Sequence, residues 1–198
     1  VAFLVNFTNF AAMSNQDKIQ NNEMPKATST HKRRYILGFI SIMIVFYIVY
    51  VNDRFDKNVL KPFIGWQTQV ASSFLRLLGE QTTADGTHLV GSAASLNVAK
   101  GCDGIEVTAL YLTGVLLMPF SRRSKLIGFG VGFSVLVLLN LIRIAGLYWV
   151  QNYWPSSFDF LHLHGGFALF TIAALVLWMT WVNWAMRTEK QRQSNVSN

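Results

Sequence analysis

An all-α polytopic membrane protein with about four spanning helices is the fold that these 198 residues predict. Three observations carry it. The chain is 52% hydrophobic with a mean hydropathy of +0.31, outside the usual range of soluble domains. Several apolar runs approach the ~20 residues a helix needs to cross a bilayer with its own backbone satisfied. The formal charge of +7 is concentrated at the ends of those runs, which reads as a topology signal and excludes a basic nucleic-acid-binding face.

Residues 1–34 are polar from Ser14 onward and read as a disordered cytoplasmic tail. The first residue is Val, so Met13 is the expected alternative start, and residues 1–12 lack the basic flank of a signal peptide. The first span is expected at 35–51, without a charge and behind His31, Lys32, Arg33 and Arg34. A second, short span is expected at 105–120, with Glu106 at its start and Arg122, Arg123 and Lys125 just beyond it. The third is expected at 126–150, with Asn140 and Arg143 inside it, and the fourth at 166–186, closed by Arg187, Lys190 and Arg192. The spans define a membrane-embedded domain over 35–187, followed by a second cytoplasmic tail at 188–198.

Charge sets the orientation. Segments 1–34, 121–125 and 187–198 hold 11 of the 17 Lys and Arg but 3 of the 10 Asp and Glu, so both termini are expected in the cytoplasm. Segment 52–103 carries five basic and five acidic residues and belongs on the extracytoplasmic side, as does 151–161. Within 52–103, Phe63, Ile64, Trp66, Val70, Phe74, Leu75, Leu77 and Leu78 recur at helical spacing, with Gln67, Gln69, Ser72, Ser73 and Arg76 between them. That pattern predicts an amphipathic helix in the interface. From Thr87 to Val98 a partial alternation predicts a short β-hairpin turning near Gly91 and Ser92.

This topology brings chemistry to one leaflet. Cys102, the single cysteine, precedes the second span at its outer end. It has no partner in the chain for a disulfide or a multi-thiolate metal site. Arg143 lies 17 residues into the third span, about 26 Å from the inner face at 1.5 Å per residue. His162 and His164 lie where the fourth span begins. A thiolate attacks a carbonyl, an imidazole moves its proton, and a guanidinium lowers a thiol pKa and stabilises an oxyanion. Asn140, one helical turn before Arg143, shares its face and is placed to orient the guanidinium or to donate a second hydrogen bond. Gly101 and Gly104 flank Cys102 and let the backbone bend.

Each member has a plainer reading. A lone Cys is more often a packing residue than a nucleophile, and an Arg near a helix end can snorkel to headgroups. A non-catalytic membrane scaffold with a structural Arg143–Glu106 pair is the competing class. Neither a nucleophile-elbow motif nor His-Glu-x-x-His spacing occurs, which argues against an intramembrane serine or metal protease.

Gly101-Cys102-Asp103-Gly104-Ile105, the run from Asn140 to Ile144 containing Arg143, and the run from Phe158 to His162 together resemble the three signatures of exosortases and the similar archaeosortases. The resemblance implies a small single-domain, membrane-embedded cysteine peptidase and transpeptidase in the bacterial cytoplasmic (inner) membrane, with its site facing outward. Its implied partners are the lipid bilayer and exported proteins that end in a short motif, a spanning helix and a basic cluster. It implies no metal or organic cofactor and no nucleic acid. Cys102 corresponds to the nucleophile, Arg143 to the transition-state stabiliser and His162 to the general acid/base. His164 is the alternative, and Gly166 and Phe170 at +4 and +8 favour His162. Asp103 stands where the family commonly has a small or hydroxyl residue, and its charge is expected to raise the thiol pKa.

Overall fold

The computed structural model describes residues 27–92 and 94–196, with the side chains of 27–32, 163–164 and 193–196 outside the description. The tail expected at 1–34 therefore lies outside the described residues as far as residue 26, and within the segment 188–198 residues 193–196 are described only as helix backbone. Helix α1 (Ala27–Val51) comes first. Chain contacts divide within it, after Gly38, and the unit from Phe39 onward holds all the chemistry of interest. A short helical stretch (Asp53–Phe55) and a π turn (Asp56–Leu60) lead into α2 (Lys61–Leu77). Three strands follow, β1 (Thr82–Asp85), β2 (His88–Gly91) and β3 (Ser95–Asn97). Then come α3 (Ile105–Leu117), α4 (Arg122–Tyr153), α5 (Pro155–Phe160), a second π turn (Leu161–Gly165) and α6 (Gly166–Val196).

Three of these helices are long and apolar enough to cross a membrane: Arg33–Val51, Arg122–Tyr153 and Gly166–Arg192. The expected second span is the 13-residue α3, well short of the ~20 residues of a full crossing. Its apolar face is supplied with partners instead. Val107, Tyr111 and Val115 of α3 pack with Leu136 of α4 and with Phe170, Ala174, Trp181 and Ala185 of α6. Close approach is made possible by missing side chains: Gly132 lies under the Tyr111 ring, whose hydroxyl donates to Gly128 O at 3.1 Å. Small residues at helix crossings are how membrane helices gain van der Waals contact when lipid is as apolar as the core. The outer faces of the long helices remain apolar and exposed, among them Ile44, Val45, Ile48, Leu126, Phe129, Leu169 and Val176.

The second core lies around the C-terminal half of α4. Ile144, Ala145, Leu147 and Tyr148 pack against Leu60, Ile64, Ala71 and Leu75 from the α2 region, Leu89 and Leu96 from the sheet, Val98 just after it, and Tyr50 of α1. The strands form an antiparallel meander in the order β1-β2-β3. The expected hairpin with its bend near Gly91 is the β2–β3 unit, and β1 extends it by pairing Thr83 with Val90.

Helix α2 is amphipathic, but its buried stripe is Ile64, Gln67, Thr68, Ala71, Ser72 and Leu75. Gln67 and Ser72, read from sequence as the polar face, point inward, whereas Trp66, Phe74 and Leu77 are exposed. Each buried polar group has a partner: Ser72 Oγ meets Thr82 Oγ1 at 3.1 Å, and Thr68 Oγ1 donates to Ile64 O at 2.9 Å. A helix beside lipid has an apolar exterior as well as an apolar interior, so hydropathy alone does not tell which face is covered.

Candidate active site

The site is built on the seven-residue loop 98–104 between β3 and α3. Val98, fully buried, pins its start. Cys102 N–H donates to Ala99 O at 3.0 Å and closes a turn, and Gly101 (φ +88°) and Gly104 (φ +73°) take left-handed conformations on either side. A Cβ is itself disfavoured in that region, which explains the two glycines of the Gly-Cys-Asp-Gly run in backbone terms.

Three helices hold this loop. Asp103, 2% exposed, accepts from Ile105 N–H at 2.8 Å and so caps the first turn of α3. Its other carboxylate oxygen accepts from the Tyr50 hydroxyl of α1 at 3.0 Å. Gln67 Nε2 of α2 donates to Asp103 O at 3.2 Å. Asn140 Nδ2 of α4 donates to Cys102 O at 3.2 Å and approaches Gln67 Oε1 at 3.5 Å. Asn140 therefore holds the carbonyl of the cysteine, whereas its spacing from Arg143 had suggested that it orients the guanidinium. Gly104 lies so close that an added Cβ would sit 2.9 Å from Asn140 Cγ. Gly104→Ala is accordingly expected to destabilise the protein by about 1–3 kcal/mol, from the left-handed φ and the displaced Asn140 together. Thermal unfolding in detergent reads this out, and an unchanged midpoint would show the loop to be freer than its contacts indicate.

The Cys102 sulfur, with the residue 7% exposed, meets an imidazole and a guanidinium. His162 presents Nδ1 at 3.5 Å and Nε2 at 3.6 Å, and Arg143 Nη2 donates to Sγ at 3.8 Å. His162 belongs to the π turn Leu161–Gly165, where the extra residue per turn re-aims side chains, and its ring stacks on Phe158 at 5.3 Å and 14°. The Arg143 guanidinium lies 6.0 Å from the Phe170 ring centre, and a Cβ at Gly166 would come within 2.9 Å of its Nε. Gly166 and Phe170, noticed in the sequence only by spacing, thus shape the room around Arg143. The His164 side chain, the alternative acid/base, lies outside the described residues.

The structural Arg143–Glu106 pair expected of a scaffold is absent among the described residues. Among the described residues the ion pairs are Asp56 with Lys61 and Asp56 with Lys100, and none joins Arg143 to Glu106 or Asp103. Also among the described residues, no three His, Cys, Asp or Glu side chains come close enough to share a metal ion.

Burial pushes the Cys102 thiol up, the Arg143 charge pulls it down, and Asp103 pushes it up again. Burial likewise raises the Asp103 carboxyl, opposed by the hydrogen bonds from Ile105 N–H and the Tyr50 hydroxyl. A thiol held in its neutral form beside an imidazole is arranged for proton transfer to the ring at the moment of attack. Tyr50 and Gln67 were not singled out by sequence reasoning. The available signal was Gln67 itself, a polar side chain on the stripe shared with Ile64, Ala71 and Leu75.

The family model of the transmembrane exosortases (Exosortase_EpsH) matches residues 30–179. No curated protein and no solved structure matches the chain.

Proposed function

The chain belongs to the transmembrane exosortase family, and on that premise we propose that it is a cysteine transpeptidase acting on the C-terminal sorting signals of exported proteins. The observation that carries the reading is the approach of both His162, at 3.5 Å, and Arg143, at 3.8 Å, to one buried sulfur. Three chain segments supply the three groups, so local sequence does not force them together.

In the proposed reaction His162 takes the Cys102 proton as Sγ attacks the peptide carbonyl. The new C–S bond converts the carbonyl oxygen to an oxyanion, which Arg143 stabilises by charge and hydrogen bonding. Collapse breaks the C–N bond, and His162 returns its proton to the leaving amine. The exported protein is left as a thioester on Cys102. An acceptor amine on the cell surface, or water, attacks the thioester, its proton passes to His162, and the thiol is regenerated by the reverse transfer. Asn140, Gln67 and Tyr50 act as positioning residues, holding the loop so that Sγ faces the imidazole. The site opens to the extracytoplasmic side of the inner membrane, where a substrate anchored by its own spanning helix presents its cleavage site.

Hydroxylamine tests this chemistry, because it attacks thioesters at neutral pH and leaves amides alone. Membranes from cells co-expressing the protein with an exported substrate of the same genome, ending in a short motif, a spanning helix and a basic tip, are treated with hydroxylamine. The processed substrate is expected to carry a C-terminal hydroxamate by mass spectrometry, and only when Cys102 is present. Processing that continues without Cys102, or yields no hydroxamate at any hydroxylamine concentration, refutes the thioester route.

A further inference from the structure

The outer edge of β3 points to a binding site for the substrate main chain. In the β2–β3 ladder His88 faces Asn97, Leu89 faces Leu96, and Val90 faces Ser95. Gly91 N–H donates to Ala94 O at 2.8 Å and Val98 N–H to Thr87 O at 2.9 Å. Antiparallel strands alternate the direction of their backbone groups, so Ala94, Leu96 and Val98 turn theirs toward β2 while Ser95 and Asn97 turn theirs outward. Among the described residues no backbone hydrogen bond reaches those outward groups. Ser95, Asn97 and Ala99 are also exposed.

The opposite edge, β1, lies against α2, where the Thr82 hydroxyl donates to Ser72 O at 3.2 Å, and in the sheet it is separated from the strand that leads to Cys102 by β2. A strand edge left open is a template for another extended chain.

What the β3 edge leads to sets the occupant. Asn97 and Cys102 are five residues apart, and the turn closed by Cys102 N–H on Ala99 O keeps their separation below the ~17 Å of five extended residues. The other face of the strand is fixed, because Leu96 and Val98 share one buried core with Cys102. The edge and the sulfur are therefore anchored in one packed core, and a few extended residues bridge them.

We infer that the outward edge of β3, at Ser95 and Asn97, binds an extended peptide of the substrate as an added strand and delivers its scissile carbonyl to Cys102. This rests on the function proposed above, and it adds main-chain recognition to it. A second copy of this chain is the less suitable occupant. A three-residue strand offers far less contact than the ~1,200 Å² of a stable protein interface, whereas a peptide already tethered in the same membrane needs little additional affinity.

Proline provides the test, since at an outward position it deletes a donor to the visitor while leaving the ladder to β2 intact. Asn97→Pro and Ser95→Pro are each expected to lower substrate processing about tenfold through KM, the loss of one net hydrogen bond, with kcat nearly unchanged. Thr87→Ala, which removes the hydroxyl that donates to Asn97 Oδ1 and leaves β3 itself untouched, is expected to process normally. Iodoacetamide alkylation of Cys102 reports whether the site is intact in each variant.

A reciprocal scan leaves the enzyme untouched. Synthetic peptides spanning the signal motif and its upstream flank, N-methylated one residue at a time, should lose processing at every second position. A flat scan, or proline variants that process normally while Cys102→Ala is dead, overturns the strand-addition site and leaves the thiol mechanism standing. Processing that survives Cys102→Ala overturns the proposed function itself. A change in oligomeric state in the proline variants, without a change in KM, assigns the edge to a second copy and also overturns the inference.

Discussion

Cys102→Ala is expected to reduce substrate processing at least about 1,000-fold while changing thermal stability little. Removal of a nucleophile from a catalytic set that works as a unit costs orders of magnitude, because the covalent intermediate no longer exists and the remaining groups act only by positioning. Stability behaves differently. The sulfur is one buried atom in a core that includes Ile144 and Val98, so its loss leaves a small cavity that costs on the order of 1 kcal/mol. The split between the two measurements is what separates a catalytic thiol from a packing one. Immunoblotting for uncleaved substrate and a detergent melting curve read them in one preparation. Cys102→Ser is expected to be almost as inactive, since a hydroxyl is far less acidic than a thiol and the buried site already disfavours the anion. A packing cysteine would give full processing by the Ala variant at the same small cost in stability.

Arg143→Gln is expected to lower kcat about 100- to 1,000-fold, the range for loss of one oxyanion donor. The same change should shift the pH dependence of Cys102 alkylation upward. The direction follows from the charges around the sulfur. Burial and Asp103 hold the thiol above its ordinary range, and Arg143 alone among these pulls it down. Without that charge the pKa rises further, so less thiolate is present at any pH below it and iodoacetamide reacts more slowly. Asp103→Asn removes an opposing influence and should move the profile the other way, toward faster alkylation near neutral pH. Two variants with opposite shifts are hard to explain by general unfolding, which would expose the thiol in both. If both speed alkylation equally, Arg143 does not act on the sulfur. Arg143→Lys keeps the charge but loses the fork geometry, and it should retain more of the alkylation profile than of the turnover.

Most of the membrane architecture was legible from residue order. The uncharged run after Arg34 and the long apolar stretches before Tyr153 and Arg192 correspond to the three helices long enough to span. Amphipathic spacing after Lys61 corresponds to α2, and the Gly91 bend to the turn between β2 and β3. The exception in kind is α3. Its apolar content matched a span, but Pro119 and the N-capping Ser121 that starts α4 cut it to 13 residues. Length in a bilayer is set by where a helix is interrupted as much as by how apolar it is.

What the sequence by itself determined was the solvent and the chemical alphabet: lipid around helices, one thiol beside glycines that permit its loop, and a cation and imidazoles at the same expected depth. Only the tertiary structure decided which groups meet, how the helices are rotated and which edge stays open. Gln67 and Tyr50 reach Asp103 across 36 and 53 residues, and Asn140 turns to Cys102 O instead of Arg143. Helical periodicity says which residues share a face. Where the exterior is as apolar as the core, however, it does not say which face turns inward, and that rotation is settled by packing and by the need of buried polar groups for partners.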